Sequence, residues 1–172
     1  MRLTQPFISI VIPAFNEGNV IACAKVQYPE VAMERSLELR GIIVGWFEAA
    51  ERGDASWRDR HVSRNPDLRI VGTDPDEWLS GISAFGFLKN EAETAGGRVK
   101  VTVLEAEAFA EGNTGWGVAR PEITLTDGRK VTPRWSAVFL HEDGTWKLIQ
   151  LHASIAIGNA EAFGNTFEPG PG

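Results

Sequence analysis

The sequence predicts an α+β domain in which helices cover one face of a curved antiparallel sheet. Two observations support this fold class. Apolar residues recur at helical spacing over residues 30–52. After residue 98, four long strand patterns follow one another and are joined by short polar turns. A chain of 172 residues with 43% hydrophobic residues can bury one substantial core, so we expect a single globular domain.

Three local patterns define the first elements. The helix over residues 30–52 is expected to end at Gly53, because glycine readily adopts the left-handed conformation that closes a helix. A short second helix is predicted over residues 56–63, with Ser56 as its N-cap. Residues 68–72 follow as a short strand.

The segment that begins at Asp74 has the features of a helix start. Asp74 is assigned as the N-cap, Pro75 occupies the first helical position, and Glu77 lies three residues after the cap. The helix is predicted to reach about Thr94 and to stop at the glycine pair 96–97. Capping therefore accounts for Asp74 and Glu77 without a functional role.

The rest of the chain consists of strands and turns. Four strands are predicted over residues 98–109, 114–125, 130–140 and 145–157. The dipeptides Asp127-Gly128 and Asp143-Gly144 are strong signals for tight hairpin turns. Short turns of this kind connect antiparallel neighbours, so the sheet is expected to be antiparallel.

Composition and charge exclude several functions. A net charge of −6 and no run of Lys or Arg argue against nucleic acid as a partner. The single cysteine, Cys23, allows no internal disulfide. The three histidines, His61, His141 and His152, lack zinc-binding spacing, so no metal and no cofactor are predicted. The apolar run at residues 7–14 is too short to span a membrane, and we expect a cytoplasmic protein with no membrane partner.

The order of elements resembles the nuclear transport factor 2-like (NTF2-like) fold, also described as cystatin-like, and specifically its SnoaL-like branch. The resemblance covers residues from about 30 to 160. The segments that carry it are residues 70–78, 115–119, 127–129, 134–139 and 146–154. It implies a cone, formed by a curved antiparallel sheet wrapped around a long N-terminal helix, with a cavity inside. It also implies a small-molecule ligand and a homodimer that forms through the exposed face of the sheet.

The predicted organisation has three parts: an N-terminal extension (1–28), the SnoaL-like domain (29–160) and a flexible tail (161–172). Within the extension, residues 7–21 resemble the opening of family 2 glycosyltransferases. Nothing downstream continues that resemblance, because the chain has no suitably placed Asp-x-Asp metal motif. A glycosyltransferase fragment is therefore the third functional hypothesis.

The last strand carries the candidate catalytic residue. Strict alternation predicts one face made of Trp146, Leu148, Gln150, His152 and Ser154. An aromatic ring, an amide, an imidazole and a hydroxyl together suit an apolar ligand pocket with a few polar groups. His152 is the candidate proton donor or acceptor. The alternative interpretation is a structural histidine bonded to a backbone carbonyl, or a residue at a dimer interface.

Two further charged sets have both a functional and a structural interpretation. Glu105 and Glu107 are predicted to share a strand face with valines, where a carboxylate is a candidate general base. The alternative is a strand end that emerges into solvent. Arg120 shares a face with Glu122, and Arg134 is placed across the following hairpin. This set predicts either a cross-strand ion pair or an arginine that binds a ligand carboxylate.

The predicted ligand pocket combines aromatic and polar residues around the cone. Its members are Trp46, Trp78, Trp116, Arg120, Trp135, Gln150 and Ser154. Several tryptophans around one site favour a flat apolar or aromatic ligand, although each tryptophan also fits a core position. Two hypotheses follow: a binding module, or a cofactor-independent isomerase, cyclase or hydrolase with His152 as general base.

Overall fold

The computed structural model describes residues 33–164, which belong to one compact unit. In chain order the elements are β1 (Glu34–Arg35), α1 (Leu37–Arg52), α2 (Ser56–His61), β2 (Arg69–Val71), β3 (Trp78–Ser80), α3 (Gly81–Ala95), β4 (Val99–Glu111), β5 (Thr114–Leu125), β6 (Lys130–Val131), β7 (Arg134–Glu142), β8 (Thr145–Ser154) and α4 (Asn159–Phe163). The glycosyltransferase-like residues 7–21 and the extension 1–28 lie outside the described residues. Of the predicted tail, residues 161–163 belong to α4, and residues 165–172 also lie outside.

The sheet runs in the order β1-β4-β5-β7-β8-β2-β3, and β6 pairs with β5. All pairs are antiparallel except β2 with β8, so the sheet is mixed. The fold class is confirmed: helices pack on one face of a curved sheet. β2 and β8 are far apart in the chain and no hairpin turn joins them, so the turn signals did not predict the direction of their pairing.

Helix α1 packs on the inner face of the sheet. The Ser36 hydroxyl accepts a hydrogen bond from the Leu39 amide at 3.2 Å, and Gly53 closes the helix with a φ of 71°. Leu39, Ile43 and other apolar residues of α1 are buried against strands β4, β5 and β7. The helix starts later than predicted, because residues 34–35 pair with β4 instead.

Two predicted helix starts are wrong in detail. Asp74 accepts from the Asp76 amide and the Glu77 carboxylate accepts from the Asp74 amide, both at 3.1 Å. These bonds form a turn between β2 and β3 rather than a helix end, because Val71 pairs with Trp78. Helix α3 begins only at Gly81.

The second helix also has a different cap. Ser56 is its first residue rather than its N-cap, and the Ser56 side chain donates to Asp54 at 2.5 Å. The Asp54 carboxylate also accepts from the Trp57 amide at 3.3 Å. The side-chain oxygen that caps the start of α2 therefore belongs to Asp54 and not, as predicted, to Ser56.

Two β-bulges reverse the faces of the long strands. Leu104 is the extra residue in β4 and Ile149 is the extra residue in β8. A bulge places the residues on either side of it out of step with strict alternation. Leu148 and Leu151 thus both point to the inner face, and His152 lies on the outer face, away from α1. The predicted five-residue face of the last strand is therefore wrong.

The same effect applies to the first long strand. Val101 and Val103 pack against the core, whereas Glu105 and Glu107 lie on the outer face. The predicted strand 130–140 is also interrupted, as β6 ends at Val131 and β7 begins at Arg134. Proline at position 133 has no amide hydrogen to continue the ladder.

Candidate functional site

A groove of about 890 Å³ crosses strands β4, β5, β7 and β8 on the outer face. We call it the outer groove. Its lining residues are Arg40, Glu105, Ala106, Glu107, Val118, Ala119, Arg120, Arg134, Trp135, Ser136, His152 and Ser154. Four predicted site residues, Arg120, Trp135, His152 and Ser154, therefore line one groove, but outside the cone.

Most of the charge in the outer groove is already paired. Arg120 donates to Glu105 on the neighbouring strand β4 at 2.8 Å, whereas Arg134, the partner predicted across the hairpin, forms no ion pair within residues 33–164. Glu122 pairs instead with Lys130 at 2.7 Å. Glu105 and Glu107 are ordinary solvent-facing carboxylates, with side chains 66% and 50% exposed. The outer face of β4 therefore does not provide a buried general base.

The predicted pocket residues do not surround one cavity. Trp46 and Trp135 are buried in the core, with ring centroids 5.9 Å apart. Trp78 is 76% exposed on β3, at the edge of the sheet. Trp116 stacks on Phe109 with ring centroids 4.7 Å apart on the outer face. Gln150 pairs with Val138 on that same face and is half-buried.

A second concavity of about 500 Å³ lies between α3 and the ends of β4 and β5. We call it the α3 cleft. Its lining residues are Glu77, Phe87, Asn90, Glu91, Thr94, Ala95, Arg98, Val99, Leu125, Thr126, Asp127 and Arg129. The cleft opens on the side of the sheet that carries the helices. None of the pocket residues predicted from the sequence lies in it.

Glu91 is the chemically distinctive residue of the α3 cleft. Glu91 is exposed at the surface of the cleft, and partial desolvation of its carboxyl by the surrounding protein raises its pKa. The positive charge of Arg58 opposes this shift, and Glu77 adds to it. No sequence pattern singles out Glu91, because the residue follows ordinary helical spacing.

Arg58 is a fully buried cation between the helices and the sheet. Its Nη1 donates to the Trp46 carbonyl oxygen at 3.1 Å, and its Cζ lies 3.4 Å from the centroid of the Trp46 ring. Burial lowers the pKa of Arg58 to about 10, so it is still protonated at neutral pH. Within residues 33–164, the buried Nε and Nη2 of Arg58 and the Nε1 of Trp135 have no hydrogen-bond partner.

His61 is fixed by its surroundings. Its Nδ1 lies 3.3 Å from the Trp146 carbonyl oxygen, and its ring lies 4.4 Å from the Trp57 ring. Since a carbonyl only accepts, the proton of the neutral ring resides on Nδ1. Burial lowers the pKa of His61, which favours that neutral form. His61 therefore has a structural contact that its sequence position did not reveal.

Among residues 33–164, no group of three or more His, Cys, Asp or Glu side chains is arranged to hold a metal ion. Over the same residues, every helix is too short or too polar to cross a bilayer.

Residues 39–158 match the sequence pattern of the SnoaL-like domain family. The chain belongs to this family. No curated protein matches this SnoaL-like chain. A similar solved structure is an NTF2-like protein of unknown function from Pseudomonas putida, with 17% identity, a TM-score of 0.60, and coverage of 78% of this chain and 94% of that one.

Two other solved structures extend the fold comparison for the SnoaL-like domain. A proposed dehydratase of the NTF2-like family from Streptomyces avermitilis has 19% identity and a TM-score of 0.57, with 70% of this chain and 95% of that chain covered. The association domain of CaMKII from C. elegans has 14% identity and a TM-score of 0.54, with 67% and 92% covered. These similarities confirm the NTF2-like, cystatin-like fold. They do not identify an activity, which has to be inferred from the residues of this chain.

Proposed function

We propose that this SnoaL-like domain binds a small apolar or aromatic molecule in the α3 cleft, which is the open part of its cone. The observation that carries the proposal is a concavity in which apolar side chains of α3, β4 and β5 lie beside the Glu91 carboxyl. Phe87, Val99 and Leu125 supply the apolar contacts, and Glu91 supplies a polar contact. Small-molecule sites typically combine an apolar concavity with a few polar groups that orient the ligand.

The rest of the cone interior supports the choice of the α3 cleft. Trp46, Trp57 and Trp135 pack against one another and against α1, so aromatic side chains already fill the part of the cone under β7 and β8. Helix α3 packs on α1, β2 and β3, which leaves the cleft between α3 and the ends of β4 and β5. A ligand inside the cone would therefore lie against α3.

The neutral fluorescent probe N-phenyl-1-naphthylamine tests this proposal. We expect the wild-type protein to enhance its fluorescence, and Phe87→Ala to weaken binding about ten-fold, because a lost aromatic contact costs about 1.5 kcal/mol. Ile82→Ala is the matched control, since Ile82 lies on the same helix and is 76% exposed. An equal loss in both variants, or no enhancement with the wild-type protein, would contradict the proposal.

A cofactor-independent isomerase, cyclase or hydrolase with His152 as general base is the second candidate. One observation favours it: His152 lies in the outer groove directly opposite Ser136 on the neighbouring strand. Among residues 33–164, however, no carboxylate or tyrosine hydroxyl hydrogen-bonds to His152. A general base normally depends on such a group for its orientation, so binding is the first proposal.

We also propose a homodimer that forms through the outer face. This face exposes Trp116 and Val118, which are 37% and 39% exposed, beside the ion pairs Arg35–Glu107 and Arg120–Glu105. In a two-fold dimer the same patch meets itself, so each paired cation can also approach a carboxylate of the second copy. The C. elegans relative is an association domain, which agrees with assembly through this fold.

Trp116→Asp is expected to convert the dimer to a monomer, because it places a charge in the apolar part of the interface. Light scattering coupled to size-exclusion chromatography measures the mass of each variant. Trp78→Asp is the control and should keep the dimer, since Trp78 is equally aromatic and 76% exposed but lies on β3. A wild-type protein that is monomeric, or a Trp116→Asp protein that is still dimeric, would exclude this interface.

We further propose a cytoplasmic location, with residues 1–28 and 161–172 as segments that flank the SnoaL-like domain. These assignments rest on the single cysteine and on the composition of the two segments.

A further inference from the structure

Four hydrogen-bond donors face one space at the β7–β8 end of the outer groove. They are Arg134, Ser136, His152 and Ser154, and we call them the donor cluster. We propose that the donor cluster binds a small oxyanion, either a carboxylate or a phosphate group of a soluble ligand. This site lies on the opposite side of the sheet from the α3 cleft and does not depend on the ligand proposed there. It borders the proposed dimer patch, since Ser136 pairs with Val118, so a bound anion would lie at the edge of that interface.

The strand register brings the four side chains together. Arg134 pairs with Ser154, and Ser136 pairs with His152, on adjacent antiparallel strands. Directly opposite residues have Cβ atoms about 5 Å apart, and alternate residues on one strand are separated by roughly 6.6 Å on the same face. The bulge at Ile149 lies before this region, so regular alternation holds from Gln150 to Ser154. The cluster thus forms a small rectangle of donors, which is the size of a single anionic group.

The charge of Arg134 is not neutralised within the described chain. Arg120 is paired with Glu105 at 2.8 Å, and Arg40 donates to the Ala106 carbonyl oxygen at 3.1 Å. By contrast, the Arg134 guanidinium has no ion pair and no hydrogen bond with any residue between 33 and 164. Arg134 is therefore the arginine of the groove whose full set of donors remains available to a ligand.

The groove as a whole favours an anion. Three arginines and two glutamates line it, which leaves one net positive charge on a protein whose net charge is −6. A guanidinium can bind a carboxylate or phosphate through two parallel hydrogen bonds, and the hydroxyls of Ser136 and Ser154 can each donate one more. The nearby Glu105 and Glu107 would repel a long polyanion such as nucleic acid, so the cluster suits a small ligand.

Isothermal titration calorimetry with inorganic phosphate and with acetate, at constant ionic strength, tests this site. We expect the wild-type protein to bind at least one of the two anions. Tighter phosphate binding would identify a phosphorylated ligand, and tighter acetate binding would identify a carboxylate; either result supports the site. Arg134→Gln should lower the affinity for the anion that binds more tightly by about ten-fold or more, because it removes a charge-assisted bidentate contact.

Arg52→Gln is the matched control, since it removes the same charge from an exposed position on α1 and should leave affinity unchanged. Ser136→Ala should weaken binding several-fold, which a general effect of net charge would not produce. No heat with either anion, or equal losses in Arg134→Gln and Arg52→Gln, would overturn the proposal. Binding of the naphthylamine probe in the α3 cleft should be unaffected by Arg134→Gln, so the two proposals fail separately.

Discussion

Arg58→Ala is expected to lower the free energy of unfolding by about 2–5 kcal/mol. The Arg58 side chain is fully buried, and its guanidinium stacks over Trp46 while donating to the Trp46 carbonyl oxygen at 3.1 Å. Truncation would leave a cavity among Trp46, Trp57 and their neighbours, and it would remove the partner of a buried carbonyl. Urea unfolding followed by tryptophan fluorescence measures this loss.

Arg58→Met separates packing from charge at the same position. Methionine fills much of the volume but carries no charge, and the Nε and Nη2 atoms of Arg58 have no partner in the described part of the chain that offsets their burial. Replacing an incompletely paired buried charge by an apolar side chain of similar size is often neutral or stabilising. We therefore expect the free energy of unfolding of Arg58→Met to lie within about 1.5 kcal/mol of the wild-type value. A loss as large as that of Arg58→Ala would show that the guanidinium contacts dominate.

The elements that the sequence predicted well are those set by local chemistry. The Asp143-Gly144 turn has φ values of 52° and 78°, which the sequence identifies because aspartate and glycine tolerate the left-handed region. Strand β5 has the predicted bounds, since turn residues mark both of its ends. The C-terminal end of α1 was likewise predictable from Gly53.

The faces of the strands could not be predicted, because the bulges at Leu104 and Ile149 carry no local signal. Neither position has a glycine, and both residues are typical of a regular strand. Each bulge reverses the alternation that follows it, which moved Glu105 and His152 from the predicted interior to the outer face. One extra residue in each of the two strands therefore determined which candidate residues could line the cone.

The residues of the α3 cleft and the buried cation escaped prediction for a different reason. Arg58 and Glu91 occupy helical positions where charged residues usually face solvent. Their environment depends on how α2 and α3 pack against α1, which is a tertiary property. The capping pattern at Asp74 failed in the same way, because pairing of β2 with β3 uses those hydrogen bonds in a turn.

Gly117→Val is expected to destabilise the domain by about 1–3 kcal/mol, because the inner face of β5 has no room for a side chain there. A Cβ atom at Gly117 would collide with the Ile43 side chain of α1 and would lie 2.8 Å from the Glu107 carbonyl oxygen. The Ile43 terminus can rotate, but the Glu107 backbone belongs to the β4–β5 ladder and cannot move without straining it. Glycine at this position therefore sets how closely α1 approaches the sheet.

Gly86→Ala is the matched control for this effect. Gly86 lies within α3, and a Cβ atom there would meet nothing within 4 Å. Alanine should therefore stabilise the helix by about 0.5–1 kcal/mol through its lower backbone entropy in the unfolded chain. Thermal unfolding measures both variants, and we expect the melting temperature to fall for Gly117→Val and to rise for Gly86→Ala. If Gly117→Val were as stable as the wild-type protein, α1 would have to be free to move away from β5, and the inner face would not be the closely packed layer that directs any ligand toward the α3 cleft.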